Sequence, residues 1–303
     1  MRTMKTPRQL KKMYENNQNI SAFLRRKMSL DYNSTEIIEI SYDLQTGSYV
    51  AAMEQEAMIK HKSEYSREIA STILSLCKPE SILEAGIGEA TTMSGVLKNI
   101  GSEVKSYGFD LSWSRVAYAQ KWLHKNGIKH TRLCSGDLFN IPFLDNSIDI
   151  VYTSHSIEPN GGNEEAILRE LYRIARKYVI LLEPGYEFAT NESKKRMESH
   201  GYCKDLKGIS EFLGYDVLES KLFPYSARAS NPTAITIIRK EGNAEKITTD
   251  VFACPKFKTP LLNIGGMMYS PEALVVYPVI ADIPCLRREN GIFASKYSEI
   301  MEL

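Results

Sequence analysis

The residues of this chain best placed to do chemistry are carboxylates that close short apolar runs. Ile82–Leu83 ends in Glu84, followed by Gly86, Gly88 and a helical pattern from Glu89 to Ile100. Strand, acid, glycine turn and helix, in that order, form the first unit of an open α/β sheet. The ligand crevice of such a sheet lies at the carboxyl ends of its strands. Glycine in the turn lets backbone approach a ligand where a Cβ would collide. A second run, Val104–Asp110, closes on Asp110, about 24 residues after Gly86. An acid there accepts hydrogen bonds from both ribose hydroxyls of a nucleoside. A third run, His130–Cys134, leads into Gly136-Asp137-Leu138. Two other glycine-turn chemistries fit less well. A dinucleotide turn reads G-x-G-x-x-G, and its third position here is Thr91; a P-loop needs Gly-Lys-Ser/Thr, which is absent.

Glu84-x-Gly86-x-Gly88, Asp110 and Asp137, in that order and spacing, resemble the class I S-adenosylmethionine-dependent methyltransferases. The run from Gly136 through Asp149 is similar to their small-molecule branch, and the likeness covers roughly residues 65–240. The resemblance implies an α/β fold: a Rossmann-like seven-stranded sheet with helices on both faces. It implies S-adenosylmethionine as cofactor, held by Glu84, Gly86, Gly88, Asp110, Leu111, Asp137, Leu138 and Ser154, and no metal. By the same resemblance Asp137 accepts from the exocyclic adenine amine, and the following backbone amide meets a ring nitrogen. The implied reaction is methyl transfer by in-line displacement to an oxygen or nitrogen of a small-molecule or sugar/glycan acceptor.

Only removal of the acceptor's proton asks for a reacting side chain. The loop after the fourth strand, Ile148–Ser154, offers His155, whose pKa lies naturally near the working range. Glu158, three residues on, either orients the imidazole or binds a cationic acceptor. The alternative is that His155 only hydrogen-bonds backbone and shapes the pocket. A fifth strand, Tyr178–Leu182, is apolar throughout, as expected of a strand buried on both faces. It runs into Glu183 and Tyr186, further candidates for substrate contact.

The elements that position these residues follow from their flanks. Ser112 is the expected N-cap of a helix to Lys125, and a helix is expected over Glu164–Arg176, capped by Asn160-Gly161-Gly162. Gly214–Leu222 and Thr233–Arg239 read as a closing antiparallel hairpin. Ahead of the first strand, a polar–aromatic turn holding Tyr42 and Tyr49 precedes a helix expected over Val50–Cys77. In similar methyltransferases this segment folds over the pocket as a lid, which would bring both tyrosines to the donor or acceptor and exclude water.

The organisation expected is a basic helical arm and lid over residues 1–64, the catalytic domain over 65–243, and a small C-terminal α+β module over 244–303. That module resembles zinc-ribbon partner subunits that activate methyltransferases, through Cys254-Pro255, Tyr277-Pro278-Val279 and Ile283-Pro284. The four ligand positions of that pattern fall on Cys254, Phe257, Ser270 and Ala273, three of which supply no thiolate. A module this small, without metal or disulfide, is expected to borrow its core from the neighbouring domain.

Residues 1–30 carry eight Lys/Arg against Glu15 alone, leaving 30 basic and 36 acidic residues for the rest. A basic arm of this kind either touches nucleic acid, lipid or an acidic partner, or is a solvated helix. An RNA or protein methyltransferase recognising its acceptor through arm and module is therefore the alternative to a small-molecule enzyme. A cofactor-binding regulator without activity is the other. No run of 18 apolar residues is present, so no membrane span is expected. The absence of a signal-peptide h-region, and of any C-x-x-C among five cysteines, fits a reducing cytoplasm. Homo-oligomerisation is left open.

Overall fold

The computed structural model describes residues 5–101, 103–242 and 250–301. Arg2, counted in the basic arm, and the expected domain boundary at 243/244 lie outside the described residues. The chain begins with three capped helices. Thr6 and Gln9 form a reciprocal capping box at the start of α1 (Pro7–Glu15), with Pro7 in the first turn, where its missing N–H costs nothing. Asn19 caps α2 (Ile20–Met28) and Ser34 caps α3 (Thr35–Leu44). Their apolar faces meet in a small core of Leu10, Ile20, Leu24 and Ile37. The basic arm is thus a packed helical layer.

The single helix expected over 50–77 is two helices, α4 (Ser48–Ala52) and α5 (Glu56–Leu76). The break falls at 53–55, where Gln55 takes an extended conformation. The first amides of α4 are held by a carboxylate from elsewhere in the chain, while α5 packs along α6.

The central sheet is built from β1 (Ser81–Ala85), β2 (Lys105–Asp110), β3 (Arg132–Ser135), β4 (Ile148–Ser154), β5 (Ala175–Pro184), β6 (Asp216–Leu222) and β7 (Thr233–Arg239). The order is β3-β2-β1-β4-β5-β7-β6, parallel through β5 and antiparallel at β7 and β6. The hairpin expected at the end of the domain is this β6–β7 pair. Helices α6 (Thr91–Ile100), α7 (Trp113–Lys125), α8 (Glu164–Ile174), α9 (Asn191–His200) and α10 (Leu206–Phe212) complete the domain. One apolar core on each face of the sheet holds it together. Because the chain winds outward from β1 on one side and from β4 on the other, their carboxyl ends flank the topological switch point, where a crevice must open.

The C-terminal residues form an antiparallel sheet of β8 (Leu262–Ile264), β9 (Met267–Ser270) and β10 (Val275–Tyr277). A two-stranded ribbon, β11 (Val279–Ile280) and β12 (Ile283–Pro284), follows it. The last elements are β13 (Ile292–Phe293), which pairs with β10, and a short helix, α11 (Tyr297–Met301). Of the zinc-ribbon ligand positions, Cys254 and Ser270 are buried and Phe257 is exposed. The Cys254 thiol meets the Tyr277 hydroxyl at 3.6 Å. Cys254, Leu261, Met268, Tyr277 and Leu286 belong to the same apolar cluster as Val151 and Leu181 of the central sheet. Phe252 packs edge-on against Phe143 at 5.3 Å, and Arg132 pairs with Asp250 at 2.8 Å. The module therefore shares a core with the sheet.

Truncation of a buried phenylalanine costs about 3–5 kcal/mol. Phe252→Ala is expected to lower the melting temperature of the whole chain in one cooperative transition. A separate early transition, with the main one unmoved, would show instead that the module is held independently.

Candidate active site

A cavity of about 1060 Å³ opens at the carboxyl ends of β1, β2, β3 and β4, roofed by α3, α4 and the start of α5. Glu84, Gly86, Gly88, Asp110, Leu111, Asp137, Leu138, Ser154, His155 and Glu158 all line it, as do Tyr42 and Tyr49. Residues that sequence spacing placed at separate strand ends thus face one hollow.

The acids keep acceptor capacity in reserve. Asp110 accepts the Gly88 amide on Oδ2 and the Ser112 amide on Oδ1, both at 2.9 Å. An ionised carboxylate has about four lone-pair directions, so two remain for a ligand. Asp137 accepts the Phe139 amide through Oδ1 alone, at 2.9 Å. Burial raises the pKa of both, against the opposing pull of Arg115 on Asp110 and of the Phe139 amide on Asp137. Glu84 is deeper, accepts the Tyr152 hydroxyl at 3.0 Å, and is pushed up to about 8 by burial. A cation brought beside it would draw the proton off.

Protein contacts also constrain the turn glycines. Gly86 (φ +74°) and Gly88 (φ +55°) both sit in the left-handed region. A Cβ on Gly86 would stand 2.2 Å from the Ser156 Cβ, so this glycine is required by the loop after β4. Ser156 in turn donates to the Ala85 carbonyl at 2.7 Å, locking that loop onto β1.

The segment over the cavity, expected to act as a lid, is joined to the same turn. Glu89 is 2% exposed and accepts the amides of Gly47 at 2.9 Å and Val50 at 2.7 Å, capping α4 with a charge. Ser112 donates to Asp43 at 2.7 Å. Arg115, 6% exposed, lies over the rings of Tyr42 and Tyr49 at 5.0 and 4.9 Å. Neither Glu89, Arg115 nor Lys62 was singled out from sequence. Lys62 donates to Thr92 at 2.9 Å, and burial lowers its pKa. A sequence signal did exist for it, because Lys62 continues the buried stripe Ser66–Ile69–Ile73 of α5 toward the sheet.

His155 leaves β4 in a left-handed conformation (φ +57°) that turns its ring into the cavity wall. Its Nδ1 lies 2.5 Å from Glu158 Oε2, and its Nε2 lies 2.9 Å from the Thr233 hydroxyl. Burial lowers the imidazole pKa, but the hydrogen bond and charge of Glu158 outweigh it, and the net shift is upward. Glu158 is thereby committed to His155, with Asn231 donating to the same oxygen at 3.3 Å.

Two candidates are not brought to the cavity. Glu183 lies beneath the loop, accepting the amides of Ser156 at 3.1 Å, Ile157 at 3.2 Å and Glu158 at 3.0 Å. Burial pushes its pKa up to about 7. It shapes the turn that presents His155. The Tyr186 hydroxyl donates to Glu198 at 2.6 Å on the outer side of the short helix after β5. Strand-end position placed both correctly in the fold but does not specify which way a side chain is used.

Residues 82–178 match a family model described as a methyltransferase domain. About a third of the chain is thus similar to a methyltransferase domain. Over 99 residues it is 25% identical to a demethylmenaquinone methyltransferase of Geobacillus stearothermophilus, covering 33% of this chain and 42% of that protein. It is 32% identical over 99 residues to norajmaline N-methyltransferase of Rauvolfia serpentina, covering 32% and 33% respectively. The chain thus spans less than half the length of either curated relative. Among solved structures, magnesium protoporphyrin IX methyltransferase of Synechocystis PCC 6803 with bound S-adenosylhomocysteine superposes with a TM-score of 0.53 at 12% identity. The superposition covers 69% of this chain and all of that one. The fold is therefore that of this methyltransferase domain. Among the described residues no helix is long and apolar enough to cross a membrane.

Hydrogen bonds to a charged group contribute roughly 1.5–3 kcal/mol each. Glu89→Ala is therefore expected to speed hydrogen exchange at the Gly47 and Val50 amides at least about tenfold, leaving the β1 and β4 amides unchanged. Unaltered exchange at both amides would show that the latch does not hold the lid.

Proposed function

We propose that this chain is an S-adenosylmethionine-dependent methyltransferase acting on an oxygen or nitrogen of a small-molecule acceptor, sugars and glycan intermediates included. The observation that supports this most is the convergence of Glu84, Asp110 and Asp137, each with unused acceptor capacity, on one cavity. The volume, about 1060 Å³, is at the upper end of what small-molecule sites occupy, and suits a nucleoside cofactor together with a modest acceptor.

In this reading Asp110 accepts the ribose hydroxyls and Asp137 the adenine amine. Glu84, whose carboxylate form a neighbouring cation favours, suits the ammonium of an amino acid, and nearby Lys62 suits its carboxylate. The sulfonium of the bound donor supplies an already electrophilic methyl group. What the chain must add is orientation, exclusion of water by the lid, and a place for the acceptor's proton. His155 is the base we assign. Its raised pKa keeps it protonated to a higher pH than an ordinary histidine, so the base form accumulates on the alkaline side. Glu158 holds its orientation, and Thr233 occupies Nε2 until an acceptor competes for it. The C-terminal module is read as a degenerate relative of zinc-ribbon partner subunits, fused to the domain and supported by packing.

Titration calorimetry with S-adenosylhomocysteine tests the cofactor assignment. Free Glu84 is largely protonated at pH 7 because its pKa is about 8. An ammonium beside it favours the carboxylate, so binding should release up to one proton and tighten as pH rises from 6 to 8. Glu84→Gln should abolish that pH dependence. Absence of wild-type binding would overturn the proposal.

A further inference from the structure

The cavity's acids and bases are unevenly spent. Glu84, Asp110 and Asp137 serve the proposed cofactor, Glu89 holds the lid amides, and Glu158 is paired with His155. The wall also carries basic side chains beside Glu15 and Glu39. Arg25, Arg196 and Arg228 all line the cavity, and among the described residues none forms an ion pair with a carboxylate.

Arg228 is tied to the His155–Glu158 pair through Asn231. Arg196 lies over the ring of Tyr202 at 5.8 Å, and its Nη1 is buried without a hydrogen-bond partner. Arg25 donates to the Ser199 carbonyl at 3.1 Å, one turn along α9 from Arg196. Arg228 faces Asn231 across a bridge, and Asn231 donates to Glu158 while its own Oδ1 is buried and unpartnered. A guanidinium N–H removed from water and left unpaired is costly, and a planar fork of donors matches a carboxylate or phosphate better than any neutral group. Glu158, already engaged by His155, is not free to receive a cationic acceptor.

We infer that the methyl acceptor is an anion whose carboxylate or phosphate group is held by Arg196 and Arg228, leaving a neighbouring hydroxyl or amine before His155. This rests on the methyltransferase reading and narrows its acceptor. The anionic group acts as a handle, and binding energy gained there positions the reacting atom.

The experiment is calorimetric titration of the protein saturated with S-adenosylhomocysteine, using pyrophosphate in one arm and citrate in the other. At least one anion is expected to bind, pyrophosphate alone marking a phosphate handle and citrate alone a carboxylate handle. Arg228→Gln, at an exposed loop position, and Arg196→Gln should each weaken that binding at least tenfold while leaving affinity for S-adenosylhomocysteine unchanged. Failure of both anions to bind the loaded protein, or equal binding by wild type and both variants, would overturn the inference. Failure of wild type to take S-adenosylhomocysteine in the loading step would instead bring down the reading beneath it.

Discussion

The carboxylate of Asp110 accepts the amides of Gly88 and Ser112 at once, and through them the glycine turn after β1 is joined to the first turn of α7. From that junction the connections run outward to the lid. Ser112 reaches Asp43, Arg115 reaches Tyr42 and Tyr49, and Glu89, one residue past the turn, holds α4 by its amides. Floor and roof of the cavity are thus referred to one buried charge. A carboxylate is suited to the task, since it accepts several hydrogen bonds in fixed directions and still has lone pairs to offer. Its burial is tolerable only because two amides and a nearby guanidinium compensate it.

The loop after β4 follows the same economy. Glu183 is buried to accept three successive amides, and that arrangement sets His155 in a left-handed conformation facing Glu158 and Thr233. Ser156 fills the space a side chain at 86 would need. The loop after β4 and the glycine turn after β1 are therefore packed against each other, so their separation is fixed by protein contacts.

What was legible in the sequence was local or periodic. Acids closing apolar runs located Glu84, Asp110 and Asp137 at strand tips, and the all-apolar run at 178–182 marked a strand buried on both faces. What was not legible depended on partners distant in sequence. Glu183 could not be told from a substrate ligand without the loop it holds. The start of α4 is held by a carboxylate some 40 residues on, at Glu89. Arg115 and Lys62 acquire their roles only where helices from opposite ends of the domain meet. The C-terminal module gives the converse case. That three of its four expected ligand positions supply no thiolate was plain in the sequence, whereas the core it shares with the central sheet, from Phe252 to Leu286, could be seen only in three dimensions.

The most direct measurement is a crystal structure of the protein with S-adenosylhomocysteine. The ribose hydroxyls are expected within hydrogen-bonding distance of Asp110, the adenine amine at Asp137, and the sulfur facing His155 beneath Tyr42 and Tyr49. A ligand bound elsewhere, or one lying in the cavity without touching either aspartate, would contradict the central role given to these two acids.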